Sequence, residues 1–363
     1  MTKTLNRIEI AGFKSIREMA LELRPINILI GSNGAGKSNF LGAFELLHEI
    51  VERRLQTHAA RQGGAGALLH FGPKQTPTMK LSLDFTPNGY AVDLGLSAGD
   101  ELFFEDEMCW FQGPGHSQPF TESLLRSQKE SGLAFEAGRR PGKVAAHVLQ
   151  SMQSWKRYHF HDTSASARLK QKNPIDDNHT LRADASNLAA FLYKLQRTHE
   201  NTYRKIIATI RMVAPFFDDF VLRPDPVRED KILLEWRHKT SDDYFNAHAL
   251  SDGTLRFMCL ATLLLQPELP TTILIDEPEI GLHPSAIHQL AALIRSASTR
   301  SQIIAATQSV TFMNHFDPED IVVVEHDGEQ STFRRVDREE LSEWLEDYTL
   351  GELWEKNVLG GRP

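Results

Sequence analysis

At 363 residues the chain exceeds the usual size of one compact domain, and it accommodates either one large α/β domain with an inserted lobe or two domains. Apolar residues at 41% and charged residues at 24% exclude disordered and fibrous classes, and no run approaches the roughly 18 to 20 apolar residues of a membrane span. A net charge of -8 argues against a protein covered in basic surface, though not against a local nucleic-acid groove.

The opening MTKTLNRIEI lacks the apolar core of a signal peptide, so the expected compartment is the cytoplasm. Asn6–Ile10 reads as a short strand. Ile26, Asn27, Ile28, Leu29 and Ile30 form an almost unbroken apolar run, as a buried parallel strand does. A glycine-rich turn follows, and then Phe40, Phe44, Leu47 and Val51 recur at helical spacing, giving the order strand, loop, helix. Gly63–Ala67 breaks regular structure and reads as a flexible surface loop. From Thr78 to Phe111 apolar and polar residues alternate between turn residues, which predicts an antiparallel β lobe. Gly113–Gly142 reads as irregular connection around hairpins. His159, Phe160, His161 and Asp162 alternate like a strand with both histidines on one face; a metal pair is also arranged this way, but no third ligand lies near. Arg168, Lys170, Lys172 and Arg182 read either as a nucleic-acid patch or, more simply, as solvated surface.

Asn187–Val213 is expected to be helical, with Leu188, Phe191, Leu192, Leu195, Tyr203, Ile206, Ile207 and Ile210 on one broad face. The chain then returns to α/β alternation: an apolar helix from Leu255 to Leu265, a strand Ile273–Ile275, a helix Ala286–Ala297, and strands Ile303–Ala306 and Ile321–Val324. Cys109 and Cys259 show no CxxC spacing and suggest neither a zinc site nor a disulfide.

Three segments carry chemistry. Gly31-Ser32-Asn33-Gly34-Ala35-Gly36-Lys37-Ser38 fits G-x-x-x-x-G-K-[ST] between a predicted strand and a predicted helix, with Asn39 next in line. Such a loop curls its backbone N–H groups around an anion, Lys37 reaches the β/γ-phosphates of a nucleotide, and Ser38 ligates Mg²⁺. Ile273-Leu274-Ile275-Asp276-Glu277-Pro278 is a buried strand ending in two carboxylates, costly unless they face a cation or water. Helix capping is the plainer role for such acids; paired with the phosphate loop, Asp276 is the expected Mg²⁺ partner and Glu277 the residue that polarises the attacking water. In Leu250-Ser251-Asp252-Gly253-Thr254, Ser251 reads as an N-cap, with Gly253 beside backbone donors that suit an anion.

This order of segments, closed by a strand ending in Thr307-Gln308-Ser309, resembles the ABC-type ATPases of the RecF, SMC and OLD group. Ile10-Ala11-Gly12-Phe13-Lys14-Ser15-Ile16 is similar to that group's "GFKSI" start, Asp184-Ala185-Ser186-Asn187-Leu188 to its "DGSNL" segment, and Gly351-Glu352-Leu353-Trp354 to the C-terminus of compact members. The resemblance implies ATP and Mg²⁺ as cofactors and a head-to-tail homodimer, or a larger stack, in which Ser251 of one protomer caps the γ-phosphate held by Gly31–Ser38 of the other. Glu279–His283 is then the segment that crosses the seam. Gln308 stands where many relatives carry histidine; it can bond a phosphate oxygen or position a water but cannot become a cation near neutral pH, which argues against fast turnover. Gln150 and Gln153 are both candidates for the glutamine that senses the γ-phosphate.

The expected architecture is an ABC-type P-loop ATPase head, α/β with a mixed or parallel core sheet, an antiparallel β lobe and an inserted helical lobe. It forms a single domain over 1–363: core 1–60 and 245–363, β lobe 61–160, helical insertion and connection 161–244. A conformational switch, a transporter motor subunit and a nuclease-linked member compete as functions, with a stand-alone DNA-binding ATPase as a further alternative to the switch. The signature departs from the transporter LSGGQ pattern at Leu250–Gly253. About 39 residues follow Val324, too few for a nuclease domain, and the roughly 210 residues between Ser38 and Leu250 lack the heptads of coiled-coil arms. The expectation is therefore a dimeric ATPase of a bacterial anti-phage or DNA-repair module, with a separately encoded effector of nuclease-like kind, nucleic acid as a further partner, and no membrane.

Overall fold

The computed structural model describes residues 4–113, 115, 118–124 and 128–362, in which the chain divides into two compact units. The first takes the chain up to residue 157, residues 270–274 and the chain from 301 onward; the second takes 158–269 and 275–300.

In the first unit, β1 (Arg7–Phe13) and β2 (Ile16–Glu22) form a hairpin in which Phe13 stands opposite Ile16 and Lys14 is left-handed at φ 46. The second strand escapes the sequence pattern because Arg17 and Glu18 are both exposed, which breaks the alternation. β3 (Ile26–Ile30) is buried along its whole length, and α1 (Lys37–Val51) buries Phe40, Phe44, Leu47 and Val51 as its spacing predicts. A short helix, α2 (Leu55–Arg61), comes next. The glycine run after it is not the flexible loop expected: Ala65 is fully buried and the Gly66 N–H donates to Asp100 Oδ1 at 2.8 Å.

β4 (Thr78–Asp84), β5 (Asn88–Leu96), β6 (Leu102–Phe111) and β7 (Phe120–Ser123) complete an antiparallel sheet in the order β2-β1-β4-β5-β6-β7. One face is apolar, with Ile8, Ile10, Leu81, Leu83, Val92 and Phe104 buried. The stretch read as irregular holds β7 and also α3 (Leu133–Arg139), a two-turn helix whose apolar signal is diluted by Gly132 and Gly138. After α4 (Val144–Met152), Trp155 packs on Phe44 and Phe85 with ring centroids 5.2 and 5.9 Å away. Gln150 and Gln153 are both exposed at the end of α4.

β8 (Lys156–Tyr158) stops before His159, so His159–Asp162 is not a strand; His159 and His161 are exposed and Phe160 is buried. Among the described residues no group of three or more His, Cys, Asp or Glu is placed to hold a metal. The second unit continues through β9 (Asn173–Pro174) to α5 (Leu188–Thr198) and α6 (Glu200–Val213), two helices rather than one, because His199 leaves helical dihedrals at φ -140, ψ 55. All eight residues of the predicted apolar face are buried. β10 (Phe217–Val221), β12 and β13 form a three-stranded sheet, while β11 (Lys231–Ile232) pairs with β9; β12 covers Glu235–His238 and β13 Tyr244–Asn246. Of the four basic residues, Arg168 is exposed, Lys170 is buried and donates to Thr163 O at 2.6 Å, Lys172 pairs with Asp225, and Arg182 with Asp177 at 2.6 Å.

α7 (Asp252–Leu265) leads to β14 (Thr272–Asp276), whose Thr272–Leu274 lie in the first unit and Ile275 and Asp276 in the second, and then to α8 (Pro284–Ser298). Back in the first unit come β15 (Gln302–Thr307), α9 (Val310–Met313), β16 (Ile321–His326), β17 (Ser331–Arg335) and α10 (Leu350–Glu355). The second six-stranded sheet runs β17-β16-β3-β15-β14-β8, with β3 parallel to β15 and β16 and β17 antiparallel to β16. The fold is thus mixed α/β with a largely parallel core sheet and an antiparallel β lobe, as expected. No helix among the described residues is long and apolar enough to cross a membrane.

Candidate nucleotide site

β3 is an interior strand of its sheet, and Gly31 follows its carboxyl end, where the loop begins. Gly34 and Gly36 are left-handed, at φ 79 and 115, which a side chain would resist. At Gly36 space is also lacking, since a Cβ would lie 2.1 Å from Ser331 Oγ; a Cβ at Gly34 would meet no non-neighbouring atom within 4 Å, so it marks the open tip. Asn33, Gly34 and Ser38 are exposed and Ser32 half-buried, while Ala35 is buried and its N–H donates to Ser32 O at 3.2 Å.

Lys37 is 6% exposed, and its Nζ donates to Gly31 O at 2.6 Å and Ser32 O at 2.9 Å. The ammonium is therefore held inside the loop. Lys37 is also the first residue of α1, whose first turn has no side-chain cap and no acidic residue, so helix dipole and ammonium act on an anion from the same end. Gln308, half-buried past the end of β15, donates from Nε2 to Asn33 Oδ1 at 2.7 Å.

Beneath the loop lies a polar group that sequence reasoning missed. Ser15 Oγ accepts from Asn39 Nδ2 and from Ser331 Oγ, each at 2.7 Å, and Ser15 O accepts from the Ser331 N–H at 2.7 Å. Asn39 thus ties α1 to the β1–β2 turn. The signal was present in the serine of the "GFKSI" start, but nothing in the sequence pairs it with Ser331. Beside it, burial lowers the Lys14 amine below the usual lysine value against the attraction of Glu45, and its Nζ donates to Gln62 Oε1 at 3.0 Å.

The second unit carries the other predicted residues. Ser251 is exposed and caps α7 as expected, its Oγ accepting from the Thr254 N–H at 3.2 Å. Gly253 has a packing role: a Cβ there would lie 2.1 Å from Gly281 O. Arg256, one turn on, donates to Ile280 O at 2.9 Å, His161 O at 3.0 Å and Phe160 O at 3.2 Å. It binds α7 to both the 279–283 segment and the 160–161 loop, a role with no sequence signature. Asp276 and Glu277 are half-buried, and Glu277 is left-handed at φ 43, a conformation costly for a residue with a Cβ. In the segment that follows, Glu279 is buried, Ile280 is 38% exposed, and His283 caps α8 through its ring nitrogen and Ser285. The structure therefore gathers the phosphate loop with Gln308 in the first unit, and Ser251 and Gly253 with the 279–283 segment in the second.

Residues 26–314 match a family model described as "AAA domain, putative AbiEii toxin, Type IV TA system". Among curated proteins the chain is similar to the DNA replication and repair protein RecF of Acidothermus cellulolyticus, at 41% identity over 83 residues, 22% of each chain. It is also similar to the Old nuclease of Escherichia phage P2, at 22% identity over 94% of this chain and 63% of that one, and to the Septu protein PtuA of Bacillus mycoides, at 21% over 90% and 41%. The chain thus spans less than two thirds of the length of each of these relatives. Among solved structures, an SMC head bound to the C-winged helix domain of ScpA superposes with a TM-score of 0.60 at 15% identity, over 94% of this chain and 99% of that one. An SMC head from Pyrococcus furiosus with an extended coiled coil gives 0.59 at 14%, over 95% and 99%. These two likenesses speak to fold.

Proposed function

This chain belongs to the AAA domain family that its residues 26–314 match and is an ABC-type ATPase of the RecF, SMC and OLD kind; from that premise we propose that it binds ATP with Mg²⁺, hydrolyses it, and works as a dimeric conformational switch. The observation that carries this reading is the Lys37 ammonium, held between Gly31 O and Ser32 O within a loop whose tip is open.

Gly31–Ser38 receives the phosphates, with Lys37 countering the charge of the β/γ-phosphates. A hydroxyl at Ser38 and a carboxylate at Asp276 are the oxygen donors Mg²⁺ favours. When bound, that ion offsets charge on the phosphates. Glu277 accepts the proton of the attacking water, and Gln308 positions that water or a phosphate oxygen. Ser251 and Gly253, at the exposed start of α7, cap the γ-phosphate held by a second copy, and the half-exposed Ile280 suits a segment that crosses the seam. All of 1–363 acts as one ATPase domain in this reading. The similarity to Old nuclease and Septu PtuA supports a place in anti-phage defence, with a separately encoded effector protein that reads the closed state.

The shared site is tested by complementation. Ser251→Arg sets a bulky group where the neighbour's γ-phosphate belongs while leaving Lys37 and Ser38 intact; it should bind ATP and fail to hydrolyse it. Mixed with Lys37→Ala, it should restore at most one working site per mixed dimer although both parents are dead, and ATP-dependent dimer formation is scored alongside rate. Wild-type activity from a Ser251→Arg protein that stays monomeric in ultracentrifugation would overturn the dimeric mechanism.

A further inference from the structure

Gly351-Glu352-Leu353-Trp354 is a motif of the sequence that the proposed chemistry leaves without a task, and the structure gives each of its residues a contact. Glu352 closes a capping box: its carboxylate accepts from the Thr349 N–H at 2.8 Å, and its own N–H donates to Thr349 Oγ1 at 3.3 Å. Leu353 is fully buried and Trp354 nearly so, which seats α10 in the first unit. Gly351 lies directly against α9. A Cβ at Gly351 would lie 2.2 Å from Val310 Cγ1 and under 3 Å from both side-chain polar atoms of Asn314, while the Gly351 N–H donates to Asn314 Oδ1 at 2.6 Å.

α9 is the helix that starts directly after Gln308. Ser309 caps it by accepting from the Phe312 N–H at 3.1 Å, and the Ser309 N–H donates to Thr307 Oγ1 at 2.9 Å. The backbone on either side of Gln308 is therefore tied to β15 through Thr307 and to α9 through Ser309. Its side chain reaches the tip of the phosphate loop, donating to Asn33 Oδ1 at 2.7 Å. A continuous series of contacts runs from Gly351 through Asn314 and Val310 to Ser309, Gln308 and Asn33, all within one unit.

We infer that α10 is a clamp that sets the position of Gln308 at the nucleotide site, with Gly351 and Asn314 as positioning residues acting through α9. The inference rests on the ATPase reading for its effect on turnover, though the clamp itself is a packing relation. Displacing α10 changes turnover by shifting Gln308, without substituting any residue of the phosphate loop.

The test combines Gly351→Ala, Gln308→Ala and the double variant in the full chain. Gly351→Ala should lower kcat on the order of tenfold, as a small misplacement at a reacting centre does, with little change in KM. In the Gln308→Ala background the same substitution should change kcat by less than about twofold, because the residue it positions is gone. Asn314→Leu should reproduce the loss, and Asn314→Asp, which keeps the acceptor for the Gly351 N–H, should restore the rate. An equal loss from Gly351→Ala in both backgrounds means general damage and overturns the clamp. Hydrogen exchange of residues 31–36 and 309–314 is read in parallel: Gly351→Ala should speed exchange in both segments, and in the loop only while Gln308 is present. Unchanged exchange in the loop overturns the clamp even if wild type hydrolyses no ATP, an outcome that would count against the ATPase reading alone.

Discussion

In the phosphate loop the chain settles its geometry within eight consecutive residues: Gly34 and Gly36 supply left-handed backbone, and Lys37 bonds back to Gly31 and Ser32. Around Ser251 and Glu277 the contacts instead join distant stretches, Gly253 to Gly281 and Arg256 to Phe160, His161 and Ile280, and a left-handed position is occupied by glutamate. The first arrangement is complete within one stretch of chain, and in the proposed reading it binds nucleotide by itself. The second builds a stiff, exposed ledge: Ser251 and Ile280 face solvent over a well-bonded base. A ledge of this kind acquires a role only when something is set against it, which is why binding and turnover should separate between the two regions.

The largest expected effects come from pulling the two apart. Lys37→Ala removes a charge that the loop holds in place, and ATP affinity should fall on the order of a hundredfold, the worth of a strong charge-assisted bond. Calorimetry showing near wild-type affinity would sink the assignment of the loop. Glu277→Gln keeps the shape of the side chain but not its basicity; binding should persist while hydrolysis slows by about 10²- to 10⁴-fold. Should turnover stay unchanged, the base lies elsewhere and the division of labour between the two regions fails.

A smaller effect tests the ledge itself. Gly253→Ala brings a Cβ to within 2.1 Å of a backbone carbonyl, which cannot swing aside as a side chain would. We expect a loss of about 1–3 kcal/mol in urea unfolding, the usual cost of overpacking, with ATP affinity at the loop untouched. A neutral substitution would mean that the 279–283 segment yields easily, and the stiffness argued for the ledge would be wrong.

The same contrast explains what the sequence made legible. Ile26–Ile30, the phosphate loop and α1 could be read because strand, turn and helix lie in one continuous stretch with unmixed periodicity. Ser251 could be read as a cap because an N-cap and the helix it begins are adjacent. By contrast, the Ser15–Ser331 hydroxyl pair spans 316 positions and the Gly253–Gly281 contact joins two segments on either side of β14, so no local pattern encodes either. β2 was missed because two charged residues interrupt its alternation, and α3 because glycines dilute a two-turn helix. The break at His199 was missed for the opposite reason: the apolar face continues across it, so periodicity alone gives one helix. Gly351 carried a motif whose purpose lies in α9, nearly 40 residues away.

The smallest effect concerns the other left-handed residue with a side chain among the described residues of the second unit. Ala185, at φ 53 and fully buried, stands where the resembling "DGSNL" segment has glycine. Its neighbours fix the conformation: Asp184 Oδ1 accepts from the Ser186 N–H and hydroxyl at 3.0 and 2.7 Å, and the buried Asn187 donates to Asp177 O and Thr180 O at 2.8 and 2.9 Å. A left-handed residue with a Cβ costs about 1–2 kcal/mol, while glycine adds about 0.5–1 kcal/mol of unfolded-state entropy and gives up one buried methyl. Ala185→Gly should therefore be close to neutral or stabilising by a few tenths of a kcal/mol, read as a small upward shift of the urea midpoint with unchanged slope. At Glu277 the same relief is available in the backbone but removes the carboxylate, so Glu277→Gly should gain stability and lose turnover together. If Ala185→Gly instead destabilises by more than about 1 kcal/mol, the methyl contact outweighs the backbone term, and left-handed φ at Glu277 could no longer be taken as a strain retained for chemistry.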